Sequence, residues 1–302
     1  MPLEGLRFLP NAELIAPAEY ETVVRAAVSV GFRKFRLTGG EPLMRLDIVE
    51  ITERIARVPG VKGLALTTNA MLLPEMAAPL KQAGLQRINV HLDSLNPETV
   101  ARQMRWGSFE KVWAGITAAQ QAGLTPIKLN AVVTAGYNEA DVMDLAKLTI
   151  ERDWHVRFIE LMPLGGGECA RLSVARYVSN IETRRRIETT LGPLTEIASD
   201  NPSDEARNYR LAGARGVIGF ISPVSEPYCG TCNRMRLTAD GKFHLCLLND
   251  DELDVKKALR SGPGAMEKVA EILVKAVTMK PTGHHLLEGR STRDRSMYQI
   301  GG

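Results

Sequence analysis

Lys34-Phe35-Arg36-Leu37-Thr38-Gly39-Gly40-Glu41-Pro42 is the stretch that decides the fold. Four residues of alternating character run into a glycine pair, an acid and a proline, which reads as a short β-strand stopped by a turn. An amphipathic stretch at 18–30 precedes it and another at 47–58 follows it. The rhythm continues along the chain: short runs rich in branched residues at 64–67, 87–92, 127–133 and 157–162 predict strands, and longer periodic stretches at 73–83, 109–122 and 139–152 predict helices. Repeated β-α units of this kind build a parallel sheet. Val30-Gly31-Phe32, Ala83-Gly84-Leu85 and Ala122-Gly123-Leu124 each set a glycine between a helix and the next strand. A left-handed residue that ends a helix is favoured there. The expected architecture is a complete or partial (β/α) barrel with its chemistry at the carboxyl ends of the strands. An open doubly wound sheet is the competing layout. The first recognisable strand follows a helix, so the array starts one strand late.

After Gly165-Gly166-Gly167 the rhythm breaks, and Arg and Glu are frequent as far as about Glu205. A boundary is expected there, dividing 1–165 from 166–302. Beyond it 217–221 and 234–237 read as strands, Asp240-Gly241 as a tight turn and 242–247 as the return strand of a hairpin, followed by helical patterns at 253–259 and 266–277. With 302 residues, 44% of them hydrophobic, the chain can bury a sizeable core. A net charge of +3 excludes the strong basic field of a general nucleic-acid binder and suits a small anionic substrate. No stretch approaches the roughly 18 apolar residues of a membrane span. Met1-Pro2-Leu3-Glu4-Gly5 has neither the basic nor the apolar region of a signal peptide. A cytoplasmic location follows as an expectation, and there clustered cysteines are metal ligands or redox groups rather than disulfides.

Three of the four cysteines fall in one window, Cys229-Gly230-Thr231-Cys232 and then Cys246. Two thiolates three residues apart can chelate one centre, and a third returning on the next strand of a hairpin completes a three-sulfur face. Three assignments compete: an iron–sulfur cluster with one iron free of protein, a zinc ion completed by His244 or Cys169, and a dithiol redox pair. Spacing alone ranks zinc first, and Cys169 by itself reads as a small buried hydrophobe. Arg234 and Arg236 alternate on a predicted strand, so both point to one face, where guanidinium forks match phosphate oxygens or simply meet solvent. Gly39 and Gly40 let a ligand approach the backbone, and Glu41 can accept from an ammonium group. Other strand ends carry Thr67-Thr68-Asn69, His91 with Asp93, Lys128 with Asn130, and Glu160 with Met162. Lys128 stands out, because an inward ammonium in an apolar strand needs an anionic partner. Arg184-Arg185-Arg186 reads as a solvated helix face.

Taken together these residues resemble the GTP 3′,8-cyclase family, the radical S-adenosylmethionine enzymes that open molybdenum cofactor biosynthesis. The resemblance is carried by Phe8-Leu9-Pro10, 36–45 (RLTGGEPLMR), 66–69 (LTTN), 89–95 (NVHLDSL), 128–133 (KLNAVV), 157–163 (RFIELMP), 219–225 (GFISPVS), 229–241 and the closing Gly301-Gly302. It implies a partial (β/α)6 barrel, its first strand missing, with a C-terminal extension that carries a second 4Fe–4S cluster on Cys229, Cys232 and Cys246, and it displaces zinc. Arg36, Thr67, Lys128, Arg234, Met235 and Arg236 match positions that contact GTP. Gly40 and Met162 match positions at S-adenosylmethionine, and the terminal glycines match a tail that reaches the active site. The family's reaction makes a 5′-deoxyadenosyl radical, takes hydrogen from the ribose of GTP and joins that carbon to C8 of guanine, giving (8S)-3′,8-cyclo-7,8-dihydroguanosine 5′-triphosphate. A homodimer, a downstream cyclic pyranopterin monophosphate synthase and no nucleic-acid or membrane partner belong to the same expectation.

Two positions depart from the family pattern. His91 stands where the family has a serine at S-adenosylmethionine, and it is bulkier and titratable. The family binds its first cluster through a Cys-x3-Cys-x2-Cys loop followed by Met-Pro, and the chain as given begins at Met1-Pro2. Without that N-terminal cluster, present in the full-length protein only, no electron reaches S-adenosylmethionine, so the chain as given is expected to be inactive. Two other functions fit part of the pattern: a radical enzyme with an auxiliary cluster that acts on another molecule, and a non-catalytic nucleotide- or metal-binding module.

Overall fold

A computed structural model of the chain describes residues 9–104, 107–164, 167–199, 201–284, 286, 292, 295 and 297–300. In chain order its elements are α1 (Pro17–Ser29), β1 (Lys34–Leu37), α2 (Ile48–Ala56), β2 (Gly63–Thr68), α3 (Leu73–Gln82), β3 (Arg87–His91), α4 (Pro97–Met104), α5 (Phe109–Gln121), β4 (Lys128–Val133), α6 (Val142–Glu151), β5 (His155–Glu160), α7 (Gly167–Ala175), α8 (Asn180–Leu191), β6 (Leu194–Ile197), β7 (Arg207–Leu211), β8 (Val217–Ile221), β9 (Arg236–Leu237), β10 (Lys242–His244), β11 (Glu252–Asp254), α9 (Lys256–Leu259), α10 (Ala265–Met279) and α11 (Met297–Ile300). The chain forms two compact units, one of residues 1–66, 79–86 and 234–302, the other of residues 67–78 and 87–233.

Helix ends are written into the sequence. Glu19 accepts from the N–H of Ala16 at 2.8 Å, and Pro17, which has no N–H to leave unpaired, opens α1. At its other end Gly31 has φ +106°, its N–H bonds Val28 O, and the N–H of Phe32 bonds Ala27 O at 2.9 Å. That paired closure is the left-handed helix stop foreseen for the glycine. Gly84 and Gly123, at φ +100° and +73°, close α3 and α5 in the same way.

In the first unit β1 and β2 run parallel, and β9, β10 and β11 form an antiparallel sheet. Alternation along this sheet sorts its faces: Phe243 and Leu245 are buried with Val23, Ala26 and Ala27 of α1 and Val269, Leu273 and Ala276 of α10, and Met235, Leu237 and Leu253 pack on the same core. Burying side chains of this kind stabilises the fold by about 1.5–3 kcal/mol each. Arg260 of the segment after α9 donates to the carbonyls of Ala12 and Leu14 and to Glu19, so the chain's first and last parts are joined by polar contacts as well.

The second unit holds strands in the order β3-β4-β5-β8-β7-β6, parallel from β3 to β8 and antiparallel beyond. One face carries Ile88, Val90, Leu129, Ala131, Val156, Phe158, Ile218 and Phe220, all buried. Registered neighbours on the other face are polar: Asn89 beside Lys128 beside His155, and His91 beside Asn130 beside Arg157 beside Gly219. The fold is thus mixed α/β with a mostly parallel sheet, as the alternating rhythm foretold.

The five strands of the array lie within two residues of their expected bounds, and β8 is at 217–221 as read. Several expectations need correction. The helix expected over 253–259 is the strand β11 followed by one turn, α9, because Leu253 pairs opposite Phe243 and joins its core. Between 166 and 205, where the β-α rhythm was read as broken, the chain holds two successive helices, α7 and α8, and the strand β6. The inward side of α8 is Asn180, Thr183 and Ile187, a buried face too polar to register as an apolar stripe. The hairpin strands are shorter than read, at 236–237 and 242–244, and α4 was not foreseen.

Candidate active site

The polar face of the second unit gathers positive charge. Lys128, the first residue of β4, is half-buried, and burial, followed by the repulsion of Arg157 and Arg87, pushes its ammonium down to about 8, against the pull of Asp204 and Glu205. His155, its neighbour on β5, is driven down to about 4 by burial and then by Lys128, Arg157 and Arg210, so it is neutral at pH 7. Arg157 is 2% exposed; its Nε donates to Asn130 Oδ1 at 2.9 Å and its Nη1 to Glu205 at 3.1 Å. Lys128 and Arg157 thus bring two positive charges to one face, with Glu205 already paired to Arg157. Arg157 and His155 were not chosen from sequence, although charged and polar residues alternating through otherwise apolar strands are the same signal that singled out Lys128 with Asn130.

At the end of β3, His91 Nε2 lies 2.9 Å from Asp93 Oδ2, and the carboxylate raises the pKa of the imidazole. Asp93 is itself held: its Oδ1 accepts from Val132 N at 2.7 Å and its carbonyl from Asn138 at 2.9 Å. Thr67 lies in β2 half-buried, and the chain after it is locked by Thr68, whose hydroxyl accepts from Ala70 N at 3.0 Å, and by Asn69, whose side chain accepts from Met71 N at 3.0 Å. Met162 falls in the loop past β5, its carbonyl accepting from Leu164 N. Cys229 and Cys232, half-buried and in no disulfide, bracket a single tight turn closed by Cys232 N–H on Cys229 O at 3.1 Å. Beside that turn a cavity of about 280 Å³ is lined by Tyr228, Thr231, Glu226, Ser222, Arg207 and Glu205.

The first unit holds the other candidates. Arg36 and Gly40 are exposed, and Glu41 accepts from Leu43 N at 3.1 Å, capping the turn of Pro42–Met44. On the hairpin, Met235 turns toward the core, so a ligand role for it would run through its main chain. Arg234 and Arg236 alternate with it, and Lys280 ties the pair of strands together by donating to the carbonyls of Arg234 and Leu245 at 2.7 and 2.9 Å. Cys246 follows β10, half-buried and in no disulfide. His244, fully buried, has Nδ1 3.3 Å from Glu252, and burial lowers its pKa. Glu252 is also bonded by Arg295, which reaches Asp240. Among the described residues no three His, Cys, Asp or Glu side chains gather as ligands of one metal ion. Phe8, the terminal glycines and the side chain of Cys169 lie outside the described residues.

Cys229, Cys232 and Cys246 are half-buried and in no disulfide, and thiolate sulfur is the donor that iron–sulfur clusters take.

Comparison with known proteins places these features in context. Residues 5–149 match the model of the radical SAM superfamily and residues 154–286 that of Molybdenum Cofactor Synthesis C. The chain is 46% identical over 302 residues to the GTP 3′,8-cyclase of Pelotomaculum thermopropionicum, covering all of this chain and 92% of that protein. It is 42% identical over 304 residues to that of Moorella thermoacetica, again with 100% and 92% covered. The GTP 3′,8-cyclase of Microcystis aeruginosa is 43% identical over 311 residues, covering 98% of this chain and 92% of the other. Among solved structures, Streptococcus suis SuiB bound to S-adenosylmethionine superposes with a TM-score of 0.56 at 12% identity, over 82% of this chain and 58% of the other, a likeness of fold.

Proposed function

The chain belongs to the GTP 3′,8-cyclase family of radical S-adenosylmethionine enzymes, and from that premise we propose how its residues carry the activity. It is a GTP 3′,8-cyclase of molybdenum cofactor synthesis, with S-adenosylmethionine and an iron–sulfur cluster as cofactors. Lys128, Thr67, Arg36, Arg234 and Arg236 bind GTP, with Met235 through its main chain. Gly40, Glu41, His91 and Met162 bind S-adenosylmethionine, and Cys229, Cys232 and Cys246 hold a 4Fe–4S cluster in an extension, 166–302, to a partial (β/α)6 barrel. When bound, cluster and S-adenosylmethionine supply one-electron chemistry; the protein orients the ribose and keeps the triphosphate fixed. Asp93 orients His91 and raises its pKa, which favours a carboxylate partner. We include a homodimer, a cytoplasmic location and hand-over of product to a cyclic pyranopterin monophosphate synthase; no described helix is long and apolar enough to cross a membrane.

One observation carries the substrate assignment: Lys128 is held half-buried beside Arg157, an arrangement that asks for a polyanion. Two measurements test it. Anaerobic reconstitution should give about four irons per chain and no stoichiometric zinc, and one zinc per chain would refute the cluster. Arg236→Ala should weaken GTP binding about tenfold, the effect of losing a charged hydrogen bond; an unchanged dissociation constant in calorimetry removes Arg236 from the site.

A further inference from the structure

Glu160 ends β5 with no exposed surface, yet its carboxylate accepts five hydrogen bonds. Oε1 takes the Tyr177 hydroxyl at 2.9 Å, the N–H of Asn180 at 2.9 Å and the Ser225 hydroxyl. Oε2 takes the N–H groups of Val224 and Ser225, both at 2.9 Å. Its charge is met by peptide and hydroxyl donors, one of them the first N–H of α8, where the helix dipole favours an anion. Hydrogen bonds to a charged acceptor are the strong ones. This is more fastening than a strand end needs, and it falls on the loop that leads to two cysteines.

From Ser225 to Cys232 each step is held. Glu226 N–H closes on Ser222 O at 3.2 Å, and the Glu226 carboxylate pairs with Arg207 of β7. Pro227 fixes its own φ. The Tyr228 carbonyl accepts from Thr231 N–H at 3.2 Å and the Cys229 carbonyl from Cys232 N–H at 3.1 Å. A cluster ligand must keep its sulfur in place through electron transfer, and partners outside the ligand shell set how well it does so. We propose that Glu160 is the positioning residue of the Cys229–Cys232 turn, pinning the peptide at Val224 and Ser225 so that both thiolates keep the spacing a cluster requires. The role presupposes that these cysteines are cluster ligands.

The test is iron retention in the reconstituted chain. Iron per chain, the rate of iron release to a ferrous chelator such as bathophenanthroline, and the electron paramagnetic resonance spectrum of the dithionite-reduced protein are compared between parent and variants. Glu160→Gln turns an amide NH2 toward donors that need an acceptor, and is expected to release iron at least tenfold faster with a changed spectrum. Tyr177→Phe leaves all three bonds to the loop intact and should stay within twofold of the parent in both readouts. If Glu160→Gln does not fold by circular dichroism, Ser225→Pro, which removes both the N–H and the hydroxyl that Ser225 gives to Glu160 without touching the sheet, decides instead, with release several-fold faster. A folded variant of either kind with the parent's release rate and spectrum overturns the anchor. A parent chain that takes up no iron overturns the cluster assignment itself, a separate failure.

Discussion

Gly115→Ala is expected to cost about 3 kcal/mol of stability, at the upper end of overpacking effects. A Cβ at Gly115 of α5 would stand 2.0 Å from the carbonyl oxygen of Ala70 and 3.0 Å from its carbon. Ala70 cannot retreat easily. It already has φ +67°, its N–H is bonded to Thr68, and its oxygen accepts from Leu73 N at 3.1 Å. The shift would be passed to Thr67, so GTP affinity should fall along with the urea midpoint. Gly39→Ala is the control: nothing lies within 4 Å of its Cβ position, and stability should change by less than about 0.5 kcal/mol. Equal midpoints for the two variants would show that α5 and the β2 exit are not in the contact described.

Lys128→Leu should weaken GTP binding about a hundredfold and at the same time make the free protein more stable. The loss follows from removing a charge-assisted phosphate bond, worth up to about 3 kcal/mol. The gain follows from removing an ammonium that is buried beside Arg157. Its pH signature is specific. A lysine depressed to about 8 in the native state, against about 10.4 when unfolded, leaves the unfolded chain holding more protons between those values. Stability of the parent therefore rises with pH across that window, and Lys128→Leu lacks the rise. GTP affinity of the parent falls as pH passes about 8 and the ammonium is lost. A parent and variant with the same stability profile from pH 7 to 10 would place Lys128 in a solvated setting.

What the sequence disclosed was local. The glycines at 31, 84 and 123 and the strand of Lys34–Leu37 depend on neighbours a few residues away, and they are where they were read. Lys128 was conspicuous because a charge in an apolar strand breaks the pattern. The rest needed partners far along the chain. Asn180 is buried because its amide bonds Phe158 O at 3.2 Å and Ile221 O at 2.8 Å, a contact no periodicity in α8 announces. Glu160 looked like one more polar strand end, since the donors that define it lie in two other segments. His244 fitted a metal by spacing, and its bond to Glu252 emerges only when β11 is recognised as a strand.

The core that joins α1 to β10 and α10 has a consequence for how the molecule is made. Val23, Ala26 and Ala27 leave the ribosome early, and Phe243, Leu245 and Leu273, which cover them, leave near the end. Closing so long a loop is slow. During translation the nascent first helix shows an apolar face with no native mate, a surface on which chaperones or aggregation compete. Its dwell time, rather than the final stability, is then what limits soluble yield, and slowing synthesis of the last third should lower that yield.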